Sequence, residues 1–235
     1  MSNVQRKRID IRRPTLAELS SIRSIAMNAL NGQSRNLSQK IFWHPLYLAV
    51  FGLVFMGIYR LTNMVEGNTK LRTFVLLILV SAVFLTLIEF PCRNVYAKIS
   101  TEDNQPDGCL AEENLKHFYM ARIDKERVIG IIGILPANAP GAYQNTPTIV
   151  HWTVIPKFYQ YAFDLLDSAL REAKEMGADV VSARVYSTDP MLKAFERKDF
   201  TPVVDEAFDY LSFFGLRRLV LQKNLSEQPG FENRR

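Results

Sequence analysis

The strongest constraint on this chain is a pair of apolar runs separated by a short polar stretch. Phe42 to Tyr59 reads FWHPLYLAVFGLVFMGIY, and Thr73 to Phe90 reads TFVLLILVSAVFLTLIEF. His44 is the one residue of the first run able to carry charge near neutral pH, and Glu89 is the one in the second. Each run approaches the ~20 residues a helix needs to cross a ~30 Å hydrocarbon core. A helix half-immersed in water shows an apolar stripe, whereas these runs are apolar on every face. The expectation is a two-helix transmembrane hairpin over 42–90, with Trp43, Tyr47 and Tyr59 near the interfaces and a polar connector from Arg60 to Arg72. An even number of spans leaves both termini on one side. Basic residues on that side (Arg23, Arg35, Lys40, Arg93, Lys98) outnumber those of the connector (Arg60, Lys70, Arg72), which favours cytoplasmic termini.

The rest of the chain has the composition of a soluble domain. Of 235 residues 48% are hydrophobic and 23% charged, and the net charge is +5. That charge gathers at the amino terminus, from Arg6 to Lys40, ahead of the first run. A basic segment beside a membrane span suits anionic lipid, and no aromatic residues are interleaved with it in a nucleic-acid-binding pattern. The expected partners are therefore the lipid bilayer and another membrane protein, with no nucleic acid. Cys92 and Cys109 form no disulfide framework, which points to a reducing compartment, and neither has a Cys or His at zinc-ligand spacing. Cys92 reads as an unmodified thiol just past the second run, with palmitoylation as the alternative. Glu89 reads as an interfacial acid, and the first residues are too charged for a cleavable signal peptide.

Outside the apolar runs the pattern alternates between strand and helix. Ile9 to Arg12 alternates as a strand. Pro14 and Thr15 open an amphipathic helix with Leu16, Leu19, Ile22, Ile25, Ala26 and Ala29 on one face. Asn94 to Asn114 is polar and reads as a loop or irregular helix. His117–Asp124 and Arg127–Leu135 form a hairpin about Lys125 and Glu126, Pro136 to Pro147 is a loop, and Thr148–Val154 is a strand. Ala162–Ala178 is a helix with Gly177 as its stop, and Asp179–Tyr186 is a strand. Asp189–Lys198 is a short helix capped by Asp189, and Arg217–Leu225 is the last strand. Four parts result: a basic strand and helix (1–41), the hairpin (42–90), the main part of the α/β domain (91–225) and a polar tail (226–235).

This order resembles the GCN5-related N-acetyltransferase (GNAT) family. IDIRRPTLAELSSI is similar to the opening strand and helix, FYMARIDKERVIGIIGI to the second and third strands, and IVHWTVIPKFYQYAFDLLDSALREAKEMGADVVSARV to the acetyl-CoA segment. MLKAFERKDF resembles the short helix that follows. The resemblance implies an α/β fold with a mixed sheet and flanking helices, interrupted here by the hairpin, as in membrane-bound members of the family. A second resemblance, by size and architecture, is to fungal endoplasmic-reticulum proteins that assist export of a phosphate transporter.

The GNAT resemblance also implies a site. Backbone N–H groups after Val154 and at the start of the long helix would hold the diphosphate of acetyl-CoA, through an Arg/Gln-x-x-Gly-x-Gly/Ala motif. Here that stretch supplies Val154, Lys157, Tyr159, Gln160, Tyr161 and Ala162, with Lys157 at the basic position and Gln160 where the first glycine belongs. A glutamine side chain crowds ground that a phosphate needs. Where many members carry a tyrosine able to protonate the leaving thiolate, this chain has Phe195, and Asp199 stands in place of a glycine. Tyr186 is a candidate substitute hydroxyl, and His151 on the central strand is the candidate general base, weighed against a hydrogen-bonded strand histidine. Glu112, Glu113, Glu172 and Glu175 read as solvated faces. With two departures where the chemistry is demanding, the expectation is a catalytically degenerate domain on an internal membrane, the endoplasmic reticulum. It would serve as an accessory factor for another membrane protein and need no cofactor. The alternative is an active membrane-bound N-acetyltransferase that uses acetyl-CoA. Phe208–Leu216 is a candidate contact surface or part of the core, and the Arg6–Arg8 and Arg12–Arg13 clusters suit a retrieval signal.

Overall fold

A computed structural model describes residues 9–63, 69–103, 108–124, 127–207 and 210–226. Seven strands form one sheet: β1 (Ile9–Arg12), β2 (Phe118–Ile123), β3 (Arg127–Leu135), β4 (Thr148–Val154), β5 (Val180–Tyr186), β6 (Thr201–Ala207) and β7 (Arg217–Asn224). Their order is β1-β2-β3-β4-β5-β7-β6. Within it β4 and β5 are parallel and the other neighbours antiparallel. The helices are α1 (Leu19–Phe42), α2 (Pro45–Asn63), α3 (Thr69–Asp103), α4 (Ala162–Glu175) and α5 (Leu192–Glu196). This is the mixed sheet with flanking helices and a helical hairpin insertion that the sequence implied.

Each face of the sheet is covered by a helix whose apolar stripe the sequence carries. Leu165, Leu166, Ala169, Leu170 and Ala173 of α4 are buried against Ile129, Ile132, Ile134, Ala183 and Val185. On the other face Ile22 and Ala26 of α1 meet Phe118, Met120 and Ile131. Gly177, at φ +75°, ends α4 in the left-handed conformation that favours glycine.

Three local departures have identifiable causes. α3 does not stop at the end of the apolar run: it continues as regular helix through Pro91 to Asp103, over ground that reads from Asn94 onward as a loop or irregular helix. Ile88, Cys92, Val95, Tyr96 and Ile99 keep a helical apolar stripe, which packs on Leu30, Leu37 and Ile41 of α1 and on Leu211 and Leu216. Cys92 lies wholly inside that contact, so its thiol is shut away from any acyl donor. β6 had no counterpart in the sequence reading, because its residues are almost all exposed and Pro202 interrupts it. An edge strand tolerates both. The short helix is confined to Leu192–Glu196, and Asp189 instead accepts a 2.7 Å hydrogen bond from the Met191 N–H in the turn before it.

α2 and α3 pack through Tyr47, Phe51 and Phe84, and the Tyr47 hydroxyl donates to the Phe84 carbonyl at 2.6 Å. Both are long and apolar enough to cross a membrane, and the apolar window Pro45–Thr62 is 0% buried within the protein. Glu89 pairs with Arg93 one turn on, at 2.6 Å. The turn residues Lys125 and Glu126, the Arg6–Arg8 cluster and residues 227–235 lie outside the described residues, as do 64–68 of the connector. Of Phe208–Leu216, Phe208 and Asp209 lie outside them too; Leu211 and Leu216 are core, while Phe213 is exposed beside His44.

Candidate functional site: a cavity where two parallel strands part

The site originates in one irregularity of β4. Thr153 faces Ile131 and Val150 faces Gly133, so His151 and Trp152 together face Ile132. This is a β-bulge, and His151 takes up the extra residue at φ +51°. A non-glycine residue there costs about 1 kcal/mol or more, which the surrounding core must hold. The bulge bends β4 away from β5. The two strands pair at Thr148 and Ile149, opposite Ser182 and Ala183, and then separate.

A cavity of about 520 Å³ opens in the gap. β4 and β5 form its floor, α1 one wall, and the end of α3 with Cys109 another, while Tyr159 and Asp189 stand at the rim. Three lining residues carry buried polar atoms without protein partners: Gln33 Oε1, Trp152 Nε1 and Arg184 Nε. Orphaned polar groups of this kind are rare in folded proteins and mark places meant to be completed by water or a ligand.

His151 lies at the centre. Its Nε2 is 3.2 Å from an Asp103 carboxylate oxygen. Burial pulls the imidazolium down, but hydrogen bonds with Asp103 and Cys109 more than reverse this and raise it to about 9. Both partners favour the protonated ring over the neutral one. Cys109 receives a hydrogen bond from Arg184 Nη2 at 3.3 Å. Asp189 accepts from Gln33 Nε2 at 3.1 Å, and burial pushes its carboxyl up to about 6. Tyr186 also lines the cavity, and burial holds its phenol up at about 12.

The residues singled out from sequence divide. His151, Val154 and Tyr159 line the cavity. Lys157 and Gln160 are exposed on a 3-10 turn, Pro156–Tyr161, that leads into α4. Tyr161 and Ala162 belong to the apolar core. The Phe158 N–H donates to the Ile155 carbonyl and the Ala162 N–H to that of Tyr159, so these donors are engaged within the turn. Phe195 is buried, edge-on to Trp152 at 4.6 Å and to Phe200 at 4.9 Å. Sequence reasoning missed Asp103, Cys109, Arg184 and Asp189 as partners, because they come from four separate segments and share no spacing. Glu172 is a correction: instead of facing solvent it is buried, bound by Arg13 at 2.7 and 2.8 Å and by the Tyr119 hydroxyl.

Comparison with known proteins gives a family match and a set of similar solved structures. A family described as inorganic phosphate transporter chaperone Pho86 matches residues 5–225. Similar solved structures include a GNAT-family acetyltransferase from Staphylococcus aureus Mu50 (14% identity, TM-score 0.47, covering 93% of this chain and 99% of that one). Another is the PaiA N-acetyltransferase from Thermoplasma acidophilum in complex with coenzyme A (15%, 0.45, 92% and 99%). Nourseothricin acetyltransferase is a third (19%, 0.39), where the match covers 46% of this chain and under two thirds, 64%, of the other.

Proposed function

Because the chain belongs to the Pho86 family of inorganic phosphate transporter chaperones, we propose that it is a membrane-anchored accessory factor of the endoplasmic reticulum whose acetyltransferase-like domain has lost acetyl transfer. The observation that carries this reading is the family match over residues 5–225, which takes in the hairpin and the α/β domain together. The client is then a phosphate transporter, itself a membrane protein. The hairpin gives a way to meet such a client inside the bilayer. Leu53, Met56, Val83 and Leu85 are each more than half exposed, and apolar surface of that extent calls for lipid or another apolar helix around it.

Loss of catalysis is supported by local chemistry. The Phe158 and Ala162 N–H groups are engaged in the 3-10 turn, Gln160 occupies the place of a glycine, and Phe195 is core packing with no proton to give. The alternative, an acetyl-CoA-dependent N-acetyltransferase, is favoured by one observation, the cavity and its orphaned polar atoms.

Two measurements test the proposal. Detergent extracts should yield the phosphate transporter bound to this protein, and removal of the protein should leave the transporter in the endoplasmic reticulum; normal export without it would sink the chaperone reading. Calorimetric titration of the purified protein with acetyl-CoA should show no binding. Micromolar affinity that is lost in a Lys157→Ala, Gln160→Ala double variant would restore the enzyme.

A further inference from the structure

Among the described residues, one group of side chains has the makings of a metal centre, and neither the family nor the fold assigns it a role. We propose that Asp103, Cys109 and His151 bind a divalent cation of the zinc class, with the cavity between β4 and β5 giving access to an open fourth position.

The geometry comes first. The carboxylate oxygen, thiol sulfur and ring nitrogen all lie within 4.8 Å of one another, and the Asp103–His151 pair is at 3.2 Å. In a tetrahedral zinc site, bonds of ~2.0–2.3 Å set neighbouring ligand atoms roughly 3.5 Å apart. The Asp103–His151 pair already stands close to that spacing. The three donors arrive on separate elements, the end of α3, the segment before β2 and the bulge of β4, and Cys109 is part of the apolar core. The bulge matters here, because it alone aims His151 at the other two.

The donor set selects the ion. A thiolate is a soft ligand, and a thiolate, an imidazole and a carboxylate together suit zinc better than magnesium or calcium, which favour all-oxygen shells. Cys109 and Asp103 bring two negative charges to a dication. Arg184 donates to the sulfur at 3.3 Å, in the outer-shell position that favours a thiolate and orients it. Three protein ligands with a cavity on the remaining side is the arrangement of sites that keep a position for an exogenous ligand.

The test is a cobalt titration of the full-length, detergent-purified protein after treatment with a chelator. Cobalt bound by a thiolate gives a charge-transfer band, and a tetrahedral site adds intense visible bands. One equivalent should saturate both, and zinc should bleach them. Cys92→Ser should keep the charge-transfer band and Cys109→Ser should lose it. Asp103→Asn, a variant of the same size, should keep the band but weaken affinity by at least about tenfold, the scale reached even by outer-shell losses. Absence of a thiolate band in folded wild-type protein would overturn the proposal, as would a band that survives Cys109→Ser or an affinity unmoved by Asp103→Asn.

Discussion

Two carboxylates, the half-buried Asp189 and the buried Glu172, give this protein opposite responses to acid. Asp189 lies against the cavity, accepting from Gln33 and the Met191 N–H with His151 nearby, and burial still raises it from 3.8 to about 6. Its folded form therefore holds a proton that the unfolded chain has already released between pH 4 and 6. Stability must fall as pH rises through that window, because the native state binds the more protons there. Asp189→Asn should flatten that slope in urea denaturation run across the window, and an unchanged slope would show that the carboxyl is solvated. Glu172 behaves in the other sense. Burial alone would raise it, but the Tyr119 hydroxyl and the Arg13 guanidinium hold it below the usual carboxylate range. Its contribution is present above the unfolded value and lost as pH drops beneath it. Glu172→Ala should cost about 1–3 kcal/mol at neutral pH, the scale of hydrogen bonds to a charged group, because Arg13 at the end of β1 loses its tie to α4. Equilibrium denaturation would read the loss; a change below about half a kcal/mol would class the pair with ordinary surface ion pairs.

At the level of elements, α3 shows what sequence pattern can and cannot resolve. The apolar run from Thr73 to Phe90 was plain, since no mixture of polar residues interrupts it. Its continuation to Asp103 was hidden, because Pro91, Asn94, Lys98 and Asp103 lower the average while Val95, Tyr96 and Ile99 hold the buried stripe. Proline inside a helix normally costs one hydrogen bond and a kink, and tertiary packing overrides that cost at Pro91. Tyr96 is the residue on which the override can be measured. It is 2% exposed and its hydroxyl lies 2.5 Å from that of Thr188, which ties α3 to the loop after β5. Tyr96→Ala should destabilise by about 3–5 kcal/mol, as truncation of a large buried aromatic does. Tyr96→Phe, which removes only the hydroxyl, should cost about 1 kcal/mol. Thermal melts of the two variants should differ accordingly, and equal losses would mean that the packing around the ring contributes little. The site was less legible than the fold. His151 and Val154 could be placed from the order of strands, but the bulge that aims His151 depends on a mismatch in register between two strands, which neither strand reveals alone.

For the molecule as a whole, the sheet constrains the membrane. β1 precedes the hairpin in sequence and β2 follows it, yet Ile9 to Arg12 pair residue for residue with Ile123 to Met120. A strand ladder cannot run through a bilayer with its partner on the far side. If α2 and α3 cross a bilayer, the segments before and after them must fold on one face of it, with the connector on the other. Charge adds the orientation: more basic residues flank the hairpin on the sheet side than at the turn, which favours a cytoplasmic sheet. Two acceptor motifs for N-glycosylation, Asn36-Leu37-Ser38 and Asn224-Leu225-Ser226, both fall on the sheet side. They should stay unmodified when the protein is made in the presence of endoplasmic-reticulum membranes. An acceptor inserted with a flexible extension between residues 63 and 69 should be glycosylated, and gel mobility with and without an endoglycosidase would show it. Modification of Asn36 or Asn224 with an unmodified turn would invert the orientation and leave the sheet argument standing. Modification at the turn and at Asn224 together would break the ladder between β1 and β2, and with it the reading of 9–12 and 118–224 as one folded unit.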